Sequence, residues 1–144
     1  FFTMFVAYID GGSRGNPGPA GFGVRIENPD GTVCAELKGS LGVATNNVAE
    51  YRGLIAALTY FVGAGHCHIL IRSDSQLLIR QMTGRYRVRH PNLQPLHREA
   101  QTLLEKLERV DFEHVPRTSN TDADRLANQA MDESQAANST DPAI

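Results

Sequence analysis

Three segments near the start of the chain have the apolar and polar alternation that is typical of β-strands. They run from Met4 to Gly11, from Gly21 to Asn28 and from Thr32 to Leu41. The second and third are joined by Asn28-Pro29-Asp30-Gly31, and Asp-Gly between two such runs favours a hairpin turn. The sequence therefore predicts three strands first, the last two as an antiparallel hairpin.

The period of the apolar positions changes to that of a helix at Asn47. The recurring residues are Ala49, Leu54, Ala57, Leu58 and Phe61. Gly63 and Gly65 predict the end of this helix. A β-type run from His66 to Ser73 follows at once and predicts a fourth strand.

The second half of the chain predicts three more helices and a fifth strand. A short helix is expected from Ser75 to Met82, and a longer one begins after Pro91 or Pro95. The fifth strand is predicted from Val110 to Val115. The last helix has an apolar stripe made of Ala123, Leu126, Ala127, Ala130 and Met131.

This order predicts an α/β protein with one mixed five-stranded sheet flanked by helices. The first three strands would be antiparallel, and the strands joined through helices would be parallel. Strands one and four would then lie side by side. At 144 residues with 41% hydrophobic content, the chain suits a single domain, expected over residues 4–133. Residues 134–144 are polar, and we expect a disordered tail there.

A formal charge of −2 gives no global sign of nucleic-acid binding, so any such surface would have to be local. One basic cluster lies between two predicted helices. Its members are Arg80, Arg85, Arg87, Arg89 and His90. From the residues alone, this cluster is either a binding surface or a solvated charged face.

Two cysteines, Cys34 and Cys67, are too few for a disulfide framework, and neither has the CxxC spacing of a zinc module. We expect both to be reduced. No apolar stretch approaches the ~20 residues of a membrane span, and the first residues lack the basic flank of a signal peptide. A cytoplasmic protein is expected, and a monomer, because no apolar pattern demands a partner.

Four acidic residues stand where predicted strands end or predicted helices begin: Asp10, Glu50, Asp74 and Asp124. Asp10 and Asp74 each follow an apolar strand, and the crevice outside the carboxyl ends of the strands is the usual binding site of open α/β sheets. An acid at the end of an apolar strand is desolvated unless a cation or a donor meets it. The pattern predicts a carboxylate cluster that holds divalent cations.

Three of these acids also have purely structural interpretations. Asp74 could be the N-cap of the helix that follows it. Glu50 stands three residues after Asn47, which is the spacing of a capping box. Asp124 lies in the first turn of the last helix, where a negative charge meets the helix dipole favourably. The residues taken singly leave both interpretations open.

Four motifs stand in a fixed order along the chain. They are YIDGGSRGNPG at residues 8–18, TNNVAEY at 45–51, SDSQ at 73–76 and NTDADRLA at 120–127. In this order and context they resemble type 1 ribonuclease H, from about Met4 to Met131. Four motifs with matching strands and helices between them are far more specific than a glycine-rich loop alone. The resemblance implies a ribonuclease H-like fold and an endonuclease that cleaves the RNA strand of RNA/DNA hybrids, leaving 5′-phosphate and 3′-hydroxyl ends.

The resemblance also implies two Mg²⁺ or Mn²⁺ ions held by four catalytic acids. These correspond to Asp10, Glu50, Asp74 and Asp124. Asp10 would bridge both ions, Glu50 and Asp74 would complete one side, with Glu50 near the RNA 2′-hydroxyl, and Asp124 would complete the other. Asp122 is the rival for the fourth role, and the family motif favours Asp124.

By the same resemblance, two segments and one glutamine would contact the hybrid. The RNA strand would meet Gly11, Gly12, Ser13, Arg14, Asn16 and Gln76. The DNA strand would meet Thr45, Asn46 and Asn47. Short polar residues and backbone groups suit this task, because 2′-hydroxyls in the minor groove distinguish RNA from DNA.

The chain departs from the best-known bacterial pattern in two ways. Many bacterial relatives have a tryptophan-bearing basic protrusion between the third and fourth helices, and a histidine in the loop before the last acid. This chain has no Trp, and the segment from Gly84 to His90 is too short for an extra helix. It resembles a branch that lacks the protrusion, so we expect weaker hybrid binding or more reliance on the arginines of this segment.

The loop before the last acid offers Arg117 as an accessory residue, for phosphate positioning or product release in place of the missing histidine. His114 lies inside the predicted strand, where a buried or sheet-surface histidine is expected. Two other functions stay open: a hybrid-binding module without catalysis, and a nuclease for double-stranded RNA or DNA. The intact acids argue against the first. The hybrid-reading residues argue against the second, although some relatives without the protrusion are reported to tolerate double-stranded RNA.

Overall fold

The computed structural model of the protein describes residues 4–65 and 68–139. Strands and helices follow one another in the predicted order. They are β1 (Met4–Ser13), β2 (Gly18–Glu27), β3 (Val33–Ala44), α1 (Asn46–Ala64), β4 (His68–Ser73), α2 (Gln76–Met82), α3 (Gln94–Glu105), β5 (Arg109–His114), a 3-10 turn (Arg117–Ser119) and α4 (Thr121–Ser139). Residues 83–93, between α2 and α3, form turns without a helix of their own.

The five strands form one sheet in the order β3-β2-β1-β4-β5. β1 pairs antiparallel with β2, and β2 with β3, whereas β1 and β4, and β4 and β5, are parallel. The predicted mixed sheet, with strands one and four side by side, is confirmed. Because parallel neighbours end at the same edge, the sheet brings the carboxyl ends of β1 and β4 together.

The core lies between α1 and one face of the sheet. Fully buried side chains of the sheet include Ala7, Ile9, Val24, Ile26, Ile69 and Ile71, and those of α1 include Leu54, Leu58 and Phe61. Burying one such Leu, Ile or Phe side chain stabilises a fold by about 1.5–3 kcal/mol. α1 ends as predicted at Gly65, which caps it in the left-handed conformation with φ 73°.

α4 packs on the opposite face of the sheet, across β2. A Cβ atom at Gly23 would lie 2.4 Å from the carbonyl oxygen of Ala123, and one at Gly21 would lie 2.5 Å from the Cβ of Ala130. Glycine is therefore required at these positions for the helix backbone to approach the strand. This close packing fixes the first turn of α4 at the edge of the sheet.

Several predicted boundaries differ from the structure. The first strand was predicted to end at Gly11, but Gly12 and Ser13 continue β1 because they pair with Gly21 and Ala20 of β2. Thr45, and not Asn47, is the N-cap of α1, since its hydroxyl accepts the amide of Val48 at 3.2 Å. Asp74 is not a cap either, because Ser75 takes that role for α2.

The prediction of a disordered tail from Ser134 onwards is wrong for its first residues, because α4 continues to Ser139. Ser134 is 1% exposed. Its hydroxyl donates to the carbonyl of Ala20 at 2.6 Å and accepts the amides of Leu41 and Gly42 at 3.1 Å each. These bonds fasten the helix to β2 and β3. Residues 140–144 lie outside the described residues.

The fourth strand begins at His68 where it is described, and Cys67, with the expected strand start at His66, lies outside the described residues. Cys34 is a free thiol on β3, with its Sγ 3.3 Å from the Tyr60 hydroxyl. Among the helices of the described ranges, none has the length and apolar character needed to cross a membrane.

Candidate active site

Acidic side chains from four elements meet at one edge of the sheet. Asp10 lies on β1, Glu50 on α1 and Asp74 directly after β4, and one carboxylate oxygen of each lies within 4.8 Å of the others. With Asp124 of α4, they line a cleft of about 470 Å³, here called the acidic cleft. The cluster that the sequence predicted is thus assembled by the fold.

The parallel pairing of β1 with β4 positions two of the acids. Ile9 lies opposite Ser73, so Asp10 and Asp74 come at the same level of neighbouring strands. The pairing of these two strands therefore places the two acids side by side.

Gly11 positions the third acid. A Cβ atom at this residue would lie 2.3 Å from the backbone carbonyl carbon of Ala49 and 2.5 Å from the amide nitrogen of Glu50. Because only glycine avoids that overlap, α1 can lie against β1 at this point. The side chain of Glu50 reaches the cleft for this reason.

The two central acids are almost fully buried. Asp10 is 8% exposed and Glu50 is 9% exposed. Burial, followed by the negative charges of Asp74 and Asp124, raises the pKa of Asp10 from 3.8 to about 7. Burial, followed by the charges of Asp10 and Asp74, raises the pKa of Glu50 well above its ordinary value. Without a counter-cation, the cleft disfavours its own ionised carboxylates.

The chemistry of these side chains fits a divalent cation. Oε2 of Glu50 is buried and has no hydrogen-bond partner in the described part of the chain. A buried, unsatisfied carboxylate oxygen is costly, and a metal ion would satisfy it. Carboxylate oxygens are the ligands that Mg²⁺ and Mn²⁺ prefer. Asp10, Glu50 and Asp74 are therefore a fitting ligand set.

The two acids in the first turn of α4 face different surroundings. Asp124 is exposed and lines the acidic cleft, and its interaction with Asp10 helps to raise the pKa of that carboxyl. Asp122 lies outside the cleft lining, with carboxylate oxygens 3.5 Å from Nη1 of Arg25 and 3.7 Å from Nη2 of Arg125. The structure places Asp124, and not its rival, beside the other acids.

Asn120 is a site residue that the sequence interpretation missed. It is 1% exposed, and its Nδ2 donates to the backbone oxygen of Ile9 at 2.9 Å and lies 3.5 Å from Oδ2 of Asp74. Its backbone carbonyl accepts the backbone amide of Asp124 at 3.1 Å. One buried residue thus links three of the elements that carry the acids. The available signal was its place immediately before α4, within the last motif.

Five of the predicted hybrid contacts line the acidic cleft: Gly11, Gly12, Ser13, Arg14 and Asn46. Two asparagines fasten the turn after β1 to the start of α1. Oδ1 of Asn46 accepts the amide of Ser13 at 2.7 Å, and its own amide donates to Oδ1 of Asn16 at 2.9 Å. The backbone of this turn is therefore held in place beside the acids.

Arg14 forms a further link, from the same turn to α4. Its guanidinium donates to Oδ1 of Asp132 at 2.5 Å, to Oε1 of Gln135 at 2.9 Å and to Oδ1 of Asn128 at 3.3 Å. The positive charge of Arg14 is thus paired with a carboxylate of α4.

Thr45, Asn47 and Gln76 do not line the acidic cleft. Thr45 caps α1, and Asn47 is exposed on its first turn. Gln76 lies in a neighbouring groove between α2 and β5.

Arg117, which was predicted to replace the missing histidine, and His114 both lie near the acids. Arg117 lies in the 3-10 turn and lines the acidic cleft. His114 is exposed at the end of β5, and its Nε2 is 3.2 Å from the backbone oxygen of Asp74. It therefore contacts the backbone of a site residue, which its position in the predicted strand did not indicate.

Residues 8–130 match the family model described as Reverse transcriptase-like. The bifunctional protein Rv2228c of Mycobacterium tuberculosis is 53% identical over 141 residues, which are 96% of this chain and 39% of that protein. Ribonuclease HI of Halobacterium salinarum is 45% identical over 127 residues, which are 88% of this chain and 64% of that protein. The chain thus spans about two fifths of the first relative and slightly under two thirds of the second.

Solved structures agree with these matches. The N-terminal RNase H domain of Rv2228c, solved as a fusion with maltose-binding protein, superposes with a TM-score of 0.91 at 49% identity, covering 96% of this chain and 100% of that one. LC11-RNase H1 in complex with an RNA/DNA hybrid has a TM-score of 0.86 at 39% identity, covering 91% and 99%. Together with the five-stranded mixed sheet and the acidic cleft, these likenesses establish that the chain belongs to the type 1 ribonuclease H family.

Proposed function

We propose that this chain is a metal-dependent endonuclease that hydrolyses the RNA strand of RNA/DNA hybrids, leaving 5′-phosphate and 3′-hydroxyl ends. The observation that carries the proposal is the convergence of Asp10, Glu50 and Asp74, with carboxylate oxygens within 4.8 Å of one another. A relative of 39% identity that was solved with an RNA/DNA hybrid supports the choice of substrate.

Asp10, Glu50, Asp74 and Asp124 would hold two Mg²⁺ or Mn²⁺ ions in this proposal. Such a pair of cations, when bound, supplies the positive charge that stabilises the attacking and leaving oxygens of an in-line phosphoryl displacement. Asp10 would be the central ligand, because it is buried in the cleft and the charges of both Asp74 and Asp124 act on its carboxyl. Its burial keeps water from competing for the carboxylate.

The turn after β1 would position the RNA strand beside the acids. Ser13 and Asn16 are joined to the start of α1 through Asn46, so this backbone is held before substrate arrives. A pre-positioned backbone can meet 2′-hydroxyl groups with little further loss of conformational freedom. The choice between Mg²⁺ and Mn²⁺, a monomeric state and a cytoplasmic location belong to the same proposal and stay predictions.

Cleavage of labelled substrates tests the proposal. We would incubate the protein with an RNA/DNA hybrid, double-stranded RNA and double-stranded DNA, each with Mg²⁺, Mn²⁺ or a chelator. Metal-dependent cutting confined to the RNA of the hybrid is the expected result. Fragments that a ligase joins without prior phosphorylation would verify the 5′-phosphate and 3′-hydroxyl ends.

Matched variants exclude a contaminating nuclease. Asp10→Asn should abolish cutting, whereas Asp111→Asn, which removes one carboxylate near the other end of the sheet beside Arg109, should not. A protein that retains hybrid on a native gel but cuts none of the substrates would refute the nuclease proposal and leave a binding module. Equal cutting of double-stranded RNA would refute hybrid specificity.

A further inference from the structure

A groove of about 280 Å³ lies between α2 and β5, and we call it the α2–β5 groove. Its polar lining comes from Gln76, Arg80, Thr83, Arg85 and His114. Among the residues that the structure describes, no aspartate or glutamate lines it. The chain as a whole has more acidic than basic residues, 16 against 14, so an acid-free basic groove is a local departure from its composition.

The groove adjoins the acidic cleft. Gln76 follows Asp74 by two residues, and Nε2 of His114 is 3.2 Å from the backbone oxygen of Asp74. A chain of nucleotides that leaves the acids in this direction would therefore pass directly into the groove.

The two arginines of the groove are held close together by the backbone. The amides of Arg85 and Tyr86 both donate to the carbonyl oxygen of Arg80, at 2.8 Å and 3.0 Å. The guanidinium of Arg80 lies 5.2 Å from the centre of the Tyr86 ring, and its Nη1 donates to the Tyr86 hydroxyl at 2.9 Å. The tyrosine orients this guanidinium without neutralising its charge.

Six of the described arginines form ion pairs with carboxylates: Arg14, Arg25, Arg52, Arg72, Arg109 and Arg125. The shortest of these ion pairs are those of Arg14, Arg72 and Arg125, at 2.5 Å, 2.9 Å and 2.6 Å. Within the described ranges, Arg80 and Arg85 form no ion pair with a carboxylate. Their positive charges are available to a ligand.

A second, larger groove of about 910 Å³ lies on the other side of Thr83 and Arg85, which line both grooves. Its lining includes Arg87 and Arg98, and no acidic residue within the described ranges belongs to it. The basic surface therefore continues beyond the α2–β5 groove, as an extended polyanion requires.

We propose that the α2–β5 groove binds backbone phosphates of the RNA/DNA hybrid next to the site of cleavage, with Arg80 and Arg85 as the phosphate contacts. This inference rests on the proposed function. The planar guanidinium forms paired hydrogen bonds with phosphate oxygens, which makes arginine well suited to such contacts. The acidic cleft repels the same phosphates, so attraction from an adjoining surface holds the substrate over it.

The test is hybrid binding in the Asp10→Asn background, which prevents cleavage during the measurement. We would compare Arg80→Gln/Arg85→Gln with Arg52→Gln/Arg109→Gln by fluorescence anisotropy across a range of salt concentrations. The second pair also removes two positive charges, one from α1 and one from the start of β5, and neither residue lines the groove. Thermal unfolding of each variant checks that the fold is retained.

We expect the groove pair to lose roughly 10- to 100-fold in affinity, since each charged hydrogen bond contributes substantially. The slope of log affinity against log salt should fall by about two, because each lost phosphate contact lowers it by about one. The control pair should lose less than about threefold. Arg80→Lys/Arg85→Lys should recover part of the loss, since lysine keeps the charge without the fork.

A series of hybrids with single neutral methylphosphonate linkages sharpens the result. One linkage position should weaken binding of the Asp10→Asn protein but have little effect once the groove pair is changed. Equal losses for the groove and control pairs would overturn the groove proposal while leaving the nuclease intact. A protein that neither binds nor cuts hybrid would overturn the proposed function itself.

Discussion

The acidic cleft and the α2–β5 groove are neighbours with opposite chemistry. The cleft gathers carboxylates on Asp10, Glu50 and Asp74, two of them at most 9% exposed. The groove holds two arginines that have no carboxylate partner in the described part of the chain, and Arg85 is exposed. The cleft suits cations and repels phosphate, whereas the groove does the reverse. The comparison indicates that catalysis and substrate retention are divided between two surfaces.

The two surfaces also differ in how the fold maintains them. Three features of the fold position the acids: the parallel pairing of β1 with β4, the close approach of α1 to β1 at Gly11, and the hydrogen bond from the buried side chain of Asn120 to Ile9. Of the two arginines, Arg80 lies on the short helix α2 and Arg85 on the exposed turn after it, and Tyr86 orients the guanidinium of Arg80. A change in the cleft should therefore alter stability as well as function, while a change in the groove should alter binding alone.

Asp10→Asn should have the largest effect of the substitutions considered, and it should affect cleavage and not hybrid binding. The substitution removes the central carboxylate while keeping its size, so metal-dependent cleavage should fall by about 1,000-fold or more. Hybrid affinity should change by less than about threefold, because the arginines are untouched and a repelling charge is gone. Single-turnover cleavage and anisotropy on the same preparation measure both. Parallel losses of cleavage and binding would contradict a division between the two surfaces.

Asp124→Asn should lower cleavage by about 100-fold, since it removes a carboxylate that lines the cleft. Asp122→Asn is the matched control, two residues away on the same helix, and should leave cleavage within about threefold. That acid interacts with Arg25 and Arg125 instead of the cleft. Initial rates at several Mn²⁺ concentrations would test the pair. A larger loss in the control would exchange the roles of the two residues.

The stability of the metal-free protein should depend on pH through Asp10. Its pKa is raised from 3.8 to about 7 in the folded chain, mainly by burial. The folded state therefore binds more protons than the unfolded state between these values, and the free energy of unfolding falls as pH rises through that window. Urea unfolding in the presence of a chelator would measure this. Between pH 5 and pH 8, the free energy of unfolding of the wild type should fall by about 2 kcal/mol relative to that of Asp10→Asn.

Adding a divalent cation should reverse the loss of stability at high pH. At pH 8, Mg²⁺ or Mn²⁺ should restore stability to the wild type and have much less effect on Asp10→Asn, because a ligand stabilises the state that binds it. If the free energy of unfolding had the same pH dependence in both proteins, ionisation of Asp10 would not destabilise the metal-free fold.

Most of the fold could be predicted because apolar periodicity encodes it. The strand runs, the helix that ends at Gly65 and the order of elements all follow from residues that are buried. The acids were found because two of them end apolar strands and the rest lie within recognisable motifs. These features depend on neighbours in sequence, and one chain suffices to detect them.

What could not be predicted depends on partners distant in sequence. Gly12 and Ser13 extend β1 beyond its predicted end because β2 pairs with them, which outweighs the weak strand preference of glycine. Ser134 lies in a polar segment without an apolar period, yet three backbone groups of β2 and β3 bind its hydroxyl. The groove arginines were recognised only as part of a basic cluster, because the absence of nearby acids is a property of the folded surface.

Asp132→Asn should have the smallest effect, since it touches neither surface directly. The Arg14 to Asp132 ion pair is solvent-exposed, and Gln135 and Asn128 still hold the guanidinium when it is lost. The turn after β1 should become slightly less ordered, which raises KM for the hybrid by about twofold and leaves kcat unchanged, because the acids stay in place. Glu133→Gln is the control, since it breaks a bridge from the same helix to Lys38, on β3. If kcat fell instead of KM rising, α4 would be positioning the acids through this pair, and the turn would not be a separate support for the substrate.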